Sequence, residues 1–293
     1  MAIAANPRSI PTPQVQDFTD AFNLSQLAGA RSTVVTYTWS ALEPQPGVYA
    51  LQDLRNATAL ARNSAQRLYV GVQVINTTRR ETPADLASAP LDAAAVTARF
   101  RALLDQIVPL FEGRVAYLSI GNEVDVFLGT NAPAWAAYQR FYEDAAGHAR
   151  QLDPSLKIGV TATADAASNA AAASLTALNR TSDFVAMTYY PLNADFTVRP
   201  PSTVVSDMQK MLSFAGAKPL VLQEVGYPAS TQLGSSDAAQ AAFVRNVFQA
   251  WDSAGGRIPL LNFFLLHDVA PAQCEAWGSY YGLSNSANFK AYL

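Results

Sequence analysis

Leu68–Ile75 reads LYVGVQVI, eight residues with scarcely a polar side chain among them. The run is too short for a typical helix and is rich in valine. It is also continuous rather than alternating, which is the pattern of a strand buried on both faces of a parallel sheet. The same kind of run recurs on either side of it. Working outward, Ser32–Thr38 (STVVTYT) lies before it. After it come Val115–Ile120 (VAYLSI), Leu156–Thr161 (LKIGVT), Phe184–Tyr189 (FVAMTY), Leu220–Leu222 (LVL) and Ile258–Leu266 (IPLLNFFLL). A weaker strand is expected at Ala2–Ala5.

Helical patterns fill the intervals. Gln14–Ala28 places Val15, Phe18, Phe22 and Leu27 on one expected inward face. Asp92 is placed to cap a helix carrying Val96, Phe100, Leu103, Leu104, Ile107 and Phe111, with Gly113 as its stop. Pro133 opens a helix through Tyr138, Phe141 and Tyr142 to Leu152. Ser202 opens one with Val205, Met208 and Leu212 inward, and Ser236 opens one with Phe243, Val247 and Trp251 inward. The alanine-rich Ala164–Leu178 reads as a crossover helix. Eight strand–helix units in 293 residues predict a (β/α)8 TIM barrel, and the absence of a Gly/Ser/Pro linker predicts one domain over 1–293. No G-x-G-x-x-G follows the first strand and no G-K-[ST] loop occurs, so a nucleotide-binding open sheet loses support.

Composition removes several functions. The net charge is −3, and the four lysines form no basic stripe, so nucleic acid is not an expected partner. Two histidines and one cysteine are too few for a three-histidine metal site, a cysteine zinc cluster or an internal disulfide. No metal and no cofactor is therefore expected. No apolar run approaches the roughly 20 residues of a membrane helix. The N-terminus has no signal-peptide pattern, which fits an intracellular protein and equally the mature form of a secreted one. A Schiff-base aldolase needs a lysine at a strand's C-terminal end, and Lys157, Lys210, Lys218 and Lys290 all lie elsewhere.

In a barrel the functional residues sit at the C-terminal ends of the strands. The fourth strand runs into Gly121-Asn122-Glu123 and the seventh into Gln223-Glu224-Val225-Gly226-Tyr227-Pro228. The chain has seven glutamates, and two of them stand at these apolar strand ends, where a carboxylate faces a desolvation cost. A single such glutamate is as readily a structural ion-pair or capping residue. Two carboxylates over a barrel mouth suit glycosidic cleavage, one as proton donor and the other as nucleophile or stabiliser of the sugar cation.

These residues resemble the clan A glycoside hydrolases, retaining enzymes with a (β/α)8 barrel. Asn122-Glu123 matches the Asn-Glu acid/base at the end of strand four, and Glu224 matches the strand-seven nucleophile. Glu224-Val225-Gly226-Tyr227-Pro228 resembles the nucleophile region of endo-β-1,3-glucanases and endo-β-1,4-galactanases. Met187–Pro191 (MTYYP) resembles the glucanases' strand-six Tyr-Pro, and Trp39–Tyr49 (WSALEPQPGVY) resembles a turn after strand two. The ending, Tyr281–Leu283 through Lys290–Tyr292, is similar to the closing segment of such barrels.

The resemblance implies a carbohydrate substrate, Glu123 as acid/base and Glu224 as nucleophile. Asn122 is expected at the sugar 2-hydroxyl, and Tyr190 is read either as a donor to Glu224 or as core packing with a satisfied hydroxyl. Trp39, Tyr227, Phe127, Tyr189 and Trp277 are candidate sugar platforms, with core packing as the alternative reading for each. The family often carries a tryptophan on strand eight, where this chain has Asn262–Asp268 (NFFLLHD). Arg79-Arg80-Glu81 and His267-Asp268 are further candidates for sugar contact. Asp125 is left between binding a hydroxyl and capping its loop. The alternative to an enzyme is a sugar-binding barrel without catalysis. The sequence does not specify the sugar, exo or endo action, or the oligomeric state.

Overall fold

In a computed structural model describing residues 1–292, the order is β1 (Ala2–Ile3), α1 (Val15–Leu27), β2 (Ser32–Thr38), α2 (Trp39–Leu42), α3 (Gln52–Asn63), β3 (Arg67–Asn76) and β4 (Arg79–Arg80). It continues with α4 (Ala94–Ile107), β5 (Val115–Asn122), α5 (Val124–Leu128), α6 (Ala132–Leu152), β6 (Lys157–Gly159), β7 (Thr161–Thr163), α7 (Ala172–Asn179) and β8 (Val185–Tyr189). The last elements are α8 (Thr203–Ala215), β9 (Leu220–Val225), α9 (Asp237–Ser253), β10 (Leu260–Phe263), α10 (Pro271–Tyr281) and α11 (Ala287–Tyr292). Single turns of 3₁₀ helix lie between several of them. The fold class is the (β/α)8 barrel. β4 is a two-residue hairpin partner of β3, and β6 and β7 are one strand interrupted at Val160, which leaves eight strands in barrel order. β5 is then the fourth and β9 the seventh.

The chain divides into two compact units, Arg31–Met187 and Met1–Ala30 with the segment from Thr188 onward. In the first unit β2, β3, β5 and β6 pair in parallel, with Val35 opposite Val70 and Tyr69 opposite Tyr117. β3 is buried from Leu68 through Asn76, as its continuous apolar run predicts, whereas β2 is mostly half-buried. Val96, Phe100, Leu103, Leu104 and Ile107 of α4 are all buried. Phe100 meets Trp39 edge-on at 4.9 Å and Phe141 of α6 at 5.0 Å. Asp92 does not cap α4; its carboxylate accepts from Arg140 of α6 instead, at 2.8 Å.

In the second unit β1 pairs with β10 and β10 with β9, all parallel, with Ala2 opposite Asn262 and Leu261 opposite Leu222. Two expected helix faces are corrected here. On α1 the buried residues are Ala21, Phe22 and Ser25, while Val15 and Leu27 are 86% and 85% exposed. On α8 the inward stripe is Val204, Asp207, Met208, Met211 and Ala215, and Val205 faces outward. Both helices carry two adjacent apolar stripes, so periodicity alone does not select the buried one. Ser236 caps α9 as expected, accepting from the Ala239 amide at 3.2 Å. Among the described residues no helix is long and apolar enough to cross a membrane.

Candidate active site

Glu123 follows β5 directly, and its backbone is left-handed (φ 46°, ψ 44°). Thr77, just past β3, is also left-handed at φ 51°, a severe outlier for a β-branched residue. Each such position costs about 1–3 kcal/mol, and the cost is met by contacts that overdetermine it. Here the two are clasped to one another. The Thr77 amide donates to the Asn122 carbonyl at 3.0 Å, and Thr77 Oγ1 donates to Glu123 Oε2 at 2.7 Å. Asn122 is buried; its Nδ2 donates to Asn76 Oδ1 at 3.1 Å, and its own Oδ1 has no hydrogen-bond partner among the described residues. The turn needs glycine at position 121. Gly121 has φ +104°, and a Cβ there would stand 2.6 Å from Val124 Cγ1 and 2.7 Å from Tyr138 Oη.

Asp125 is buried two residues beyond Glu123. It accepts from the Thr163 amide at 2.8 Å and from Thr163 Oγ1 at 2.7 Å, tying α5 to the end of β7. Burial pushes its carboxyl up to about 6; the Thr163 bonds pull it down and the charge of Glu123 adds to the rise. Its hydrogen bonds run to Thr163, so the carboxylate ties two strand ends together, a role that neither expected reading names.

At the other strand end, Glu224 is the penultimate residue of β9. Tyr190 Oη donates to its Oε2 at 2.6 Å, and Gln223 Nε2 donates to its Oε1 at 3.1 Å. Burial holds the Tyr190 phenol well above its ordinary value, and the Glu224 charge adds to this. Asn262 of β10 supports the strand end from beneath, donating to the Gln223 carbonyl at 2.8 Å. Gly226 lets the Tyr190 ring approach: a Cβ would lie 2.5 Å from Tyr190 Cε1 and 2.9 Å from the Phe264 carbonyl oxygen.

Other candidates belong to the framework. Trp39 offers no sugar platform: it is fully buried, and its Nε1 donates to Glu43 Oε2 at 2.9 Å. Glu43 is itself fully buried and also takes the Gly47 amide (2.8 Å) and Arg99 (Nε, 2.9 Å). The resemblance of Trp39–Tyr49 thus marks a structural brace. Tyr227 is likewise corrected. Its ring stacks on Phe243 at 4.9 Å, its hydroxyl donates to the Arg199 carbonyl, and it is 6% exposed where it lines a cavity of about 420 Å³ with Ser230, Asp237, Asp268 and Tyr292. Tyr189 is buried with its hydroxyl on Asp207, and Trp277 is half-buried. Phe127, on α5, is 42% exposed and keeps a free face.

Arg80 is spent on the Leu86 and Ala89 carbonyls, and Arg79 pairs with Glu81 at 3.3 Å. His267 and Asn6 exchange three hydrogen bonds, and the Leu266 amide donates to Asn6 Oδ1 as well, a structural tie. Thr77, Asn76 and Gln223 escaped the sequence reading. The rule that finds Glu123 would have reached Asn76-Thr77, since they follow the Leu68–Ile75 run directly.

No family model matches the chain, and no curated protein matches its sequence. Solved structures do match in fold. A family 5, subfamily 18 glycoside hydrolase from Bifidobacterium longum, in complex with Manβ1-4GlcNAc, superposes with a TM-score of 0.74 at 14% identity, over 92% of this chain and 70% of that one. An exo-β-1,4-mannosidase from an Opitutaceae bacterium gives 0.76 at 16% identity over 100% of this chain, which spans 55% of that protein. A family 39 glycoside hydrolase from Bacteroides cellulosilyticus gives 0.62 at 13% identity, over 90% of this chain and 55% of that one. These structural neighbours are glycoside hydrolases, and at such identities the agreement is one of fold.

Proposed function

We propose that the chain is a glycoside hydrolase that cleaves β-glycosidic bonds with retention. Glu224 is the nucleophile and Glu123 the acid/base. One observation carries the reading: Glu224, at the end of the seventh strand, is oriented by a phenol on one oxygen and an amide on the other. An ionised carboxylate is acceptor-only, and this is the arrangement that presents it to an electrophile. Strain stored at Glu123 and Thr77 supports a functional role for the first strand end.

In the first step Glu224 attacks the anomeric carbon while Glu123 gives its proton to the leaving oxygen, producing a glycosyl ester. In the second, Glu123 takes a proton from water, water attacks the anomeric carbon, and the Glu224 carboxylate leaves. The unmet acceptor on Asn122 suits a sugar hydroxyl, a contact that strengthens in the transition state. Phe127, 42% exposed, is the most exposed of the five candidate platforms and so the one best placed to stack on a sugar.

Two neighbours are named for β-1,4-linked mannose compounds, so an aryl β-mannoside is the first substrate to test. Aryl β-glucoside and β-galactoside, followed by mannan, glucan and galactan, complete the panel. The expected outcome is hydrolysis of at least one, with NMR showing retention in the first-formed anomer. Retention also implies carboxylates about 5–5.5 Å apart in a crystal structure. Sugar binding without turnover of any member would leave the non-catalytic barrel as the answer, and an inverted first product would overturn the mechanism.

A further inference from the structure

β9 carries one residue more than its neighbour can pair. Leu261 of β10 stands opposite Leu222, but Phe263 stands opposite Val225, so the single residue Asn262 faces both Gln223 and Glu224. On its other edge β10 keeps step with β1, Ala2 opposite Asn262 and Ile3 opposite Phe263, so the extra residue belongs to β9. Two residues against one make a β-bulge, a device that bends a strand and re-aims a side chain at the rim of a barrel. One hydrogen bond shows its effect. Neighbours on a regular strand point to opposite faces, yet Gln223 Nε2 reaches Glu224 Oε1 at 3.1 Å.

A side chain holds the bulge. Asn262 is 1% exposed, and its Nδ2 donates to the Gln223 carbonyl at 2.8 Å. A bulge takes backbone groups out of the ladder, and a buried carbonyl needs a donor from somewhere. The arrangement is costly to the fold. Among the described residues neither Asn262 Oδ1 nor Gln223 Oε1 has a hydrogen-bond partner, although both side chains are buried. Each has given up its hydration for no new bond. An apolar residue at 262 would escape this penalty, and such local rules are broken chiefly at functional sites. What each amide supplies in return is the bond it donates: Asn262 to the bulge, Gln223 to Glu224.

We infer that Asn262 is a positioning residue for the nucleophile: by gripping the Gln223 carbonyl it holds the bulge that turns Glu224 toward its two donors, Gln223 and Tyr190. This rests on the reading of Glu224 as nucleophile. Asn262 is not a catalytic residue, since it acts through the backbone of β9. A misaimed carboxylate slows attack on the anomeric carbon without weakening the grip on the rest of a sugar, so the contribution belongs to kcat rather than to KM.

The test is Asn262→Leu, which is close in size and removes the donor and the orphaned acceptor together. It is expected to lower kcat by between about tenfold and about 10²-fold, the scale of a misplacement near 1 Å, with KM changed by less than about twofold. The melting temperature should stay at or above that of wild type. Crystal structures of both proteins should show the bulge opposite Asn262 in wild type, and in the variant a shifted register with the Gln223–Glu224 bond broken. Asn262→Val serves if the leucine does not fold. Failure of both to fold would make Asn262 a framework residue and overturn the inference. An unchanged kcat would also overturn it, as would a fall in kcat with the bulge and the Glu224 contacts intact. If the wild-type chain hydrolyses nothing, the glycosidase reading fails by itself, and the register in the two crystals still decides whether Asn262 holds the bulge.

Discussion

Glu43 and Glu224 are the same side chain held in opposite ways. Glu43 is sealed in the core between the Trp39 indole, the Gly47 amide and the Arg99 guanidinium, a cation that answers its charge. Glu224 is half-buried and takes hydrogen bonds from a phenol and a primary amide, both neutral. Thr77, which donates to Glu123, is neutral as well. A charge answered by a charge is fixed in the fold. The donors named at Glu224 and Glu123 orient the carboxylates without themselves carrying a charge. The difference separates a brace from a candidate reagent within one chain.

The sharpest way to break this contrast is to neutralise each glutamate. Glu123→Gln and Glu224→Gln should each lower kcat/KM by at least about 10³-fold. Circular dichroism and the melting temperature should stay near wild type, and the double variant should lose little more than either single one. Unchanged turnover in either single variant would remove that residue from the site. Glu43→Ala should do the reverse. Leaving the buried Trp39 indole N–H and the Gly47 amide without their acceptor costs about 1–3 kcal/mol of folding stability for each group, measurable by urea denaturation, while Arg99 keeps its pair with Asp85. Whatever stays folded should turn over normally.

Next in size is a pH effect at Asp125. Its carboxyl sits at about 6 in the fold against an ordinary 3.8, so the native state binds the proton more tightly than the unfolded chain does. Stability from this group is present below pH 3.8 and is lost as pH rises to about 6, by roughly 3 kcal/mol. Asp125→Asn should remove this component, which shows as a smaller fall in unfolding free energy from pH 4 to pH 7 than in wild type. An identical pH dependence in the variant would contradict the assignment. The smallest effect is expected from Thr77→Val, which deletes the hydroxyl on Glu123 Oε2 and keeps the shape. A roughly tenfold loss of activity, equal to about 1.4 kcal/mol, is expected. A loss as large as that of Glu123→Gln would mean that the clasp, not the carboxylate, is what Glu123 supplies.

The barrel was legible because parallel strands buried on both faces leave uninterrupted apolar runs, and Leu68–Ile75 has the plainest of them. The strand ends were less legible. Asn122 and Glu224 still belong to their strands, although the apolar runs stop at Ile120 and Leu222. Glu123 and Glu224 could be singled out because a carboxylate is conspicuous there. Thr77 follows its apolar run just as directly, but a threonine there is inconspicuous, and its importance lies in a backbone angle that no residue type announces. Trp39 misled for the converse reason. Tryptophan serves equally as a sugar platform and as core, and only the position of Glu43 and Phe100 around it decides between the two.

Gly226 carries a consequence for anyone who reshapes this protein. The space where its Cβ would stand is already occupied by the edge of Tyr190 and by the Phe264 carbonyl, at distances no real side chain tolerates. A saturation library at this codon should return glycine alone among active clones, and alanine, the most modest step available, is already excluded. The constraint runs through Tyr190, so it ought to soften when that ring is made smaller. Shrinking the ring removes one of two obstacles: the Phe264 carbonyl stays 2.9 Å from the Cβ position, so a lineage that had already given up Tyr190 would still find the glycine held by the backbone.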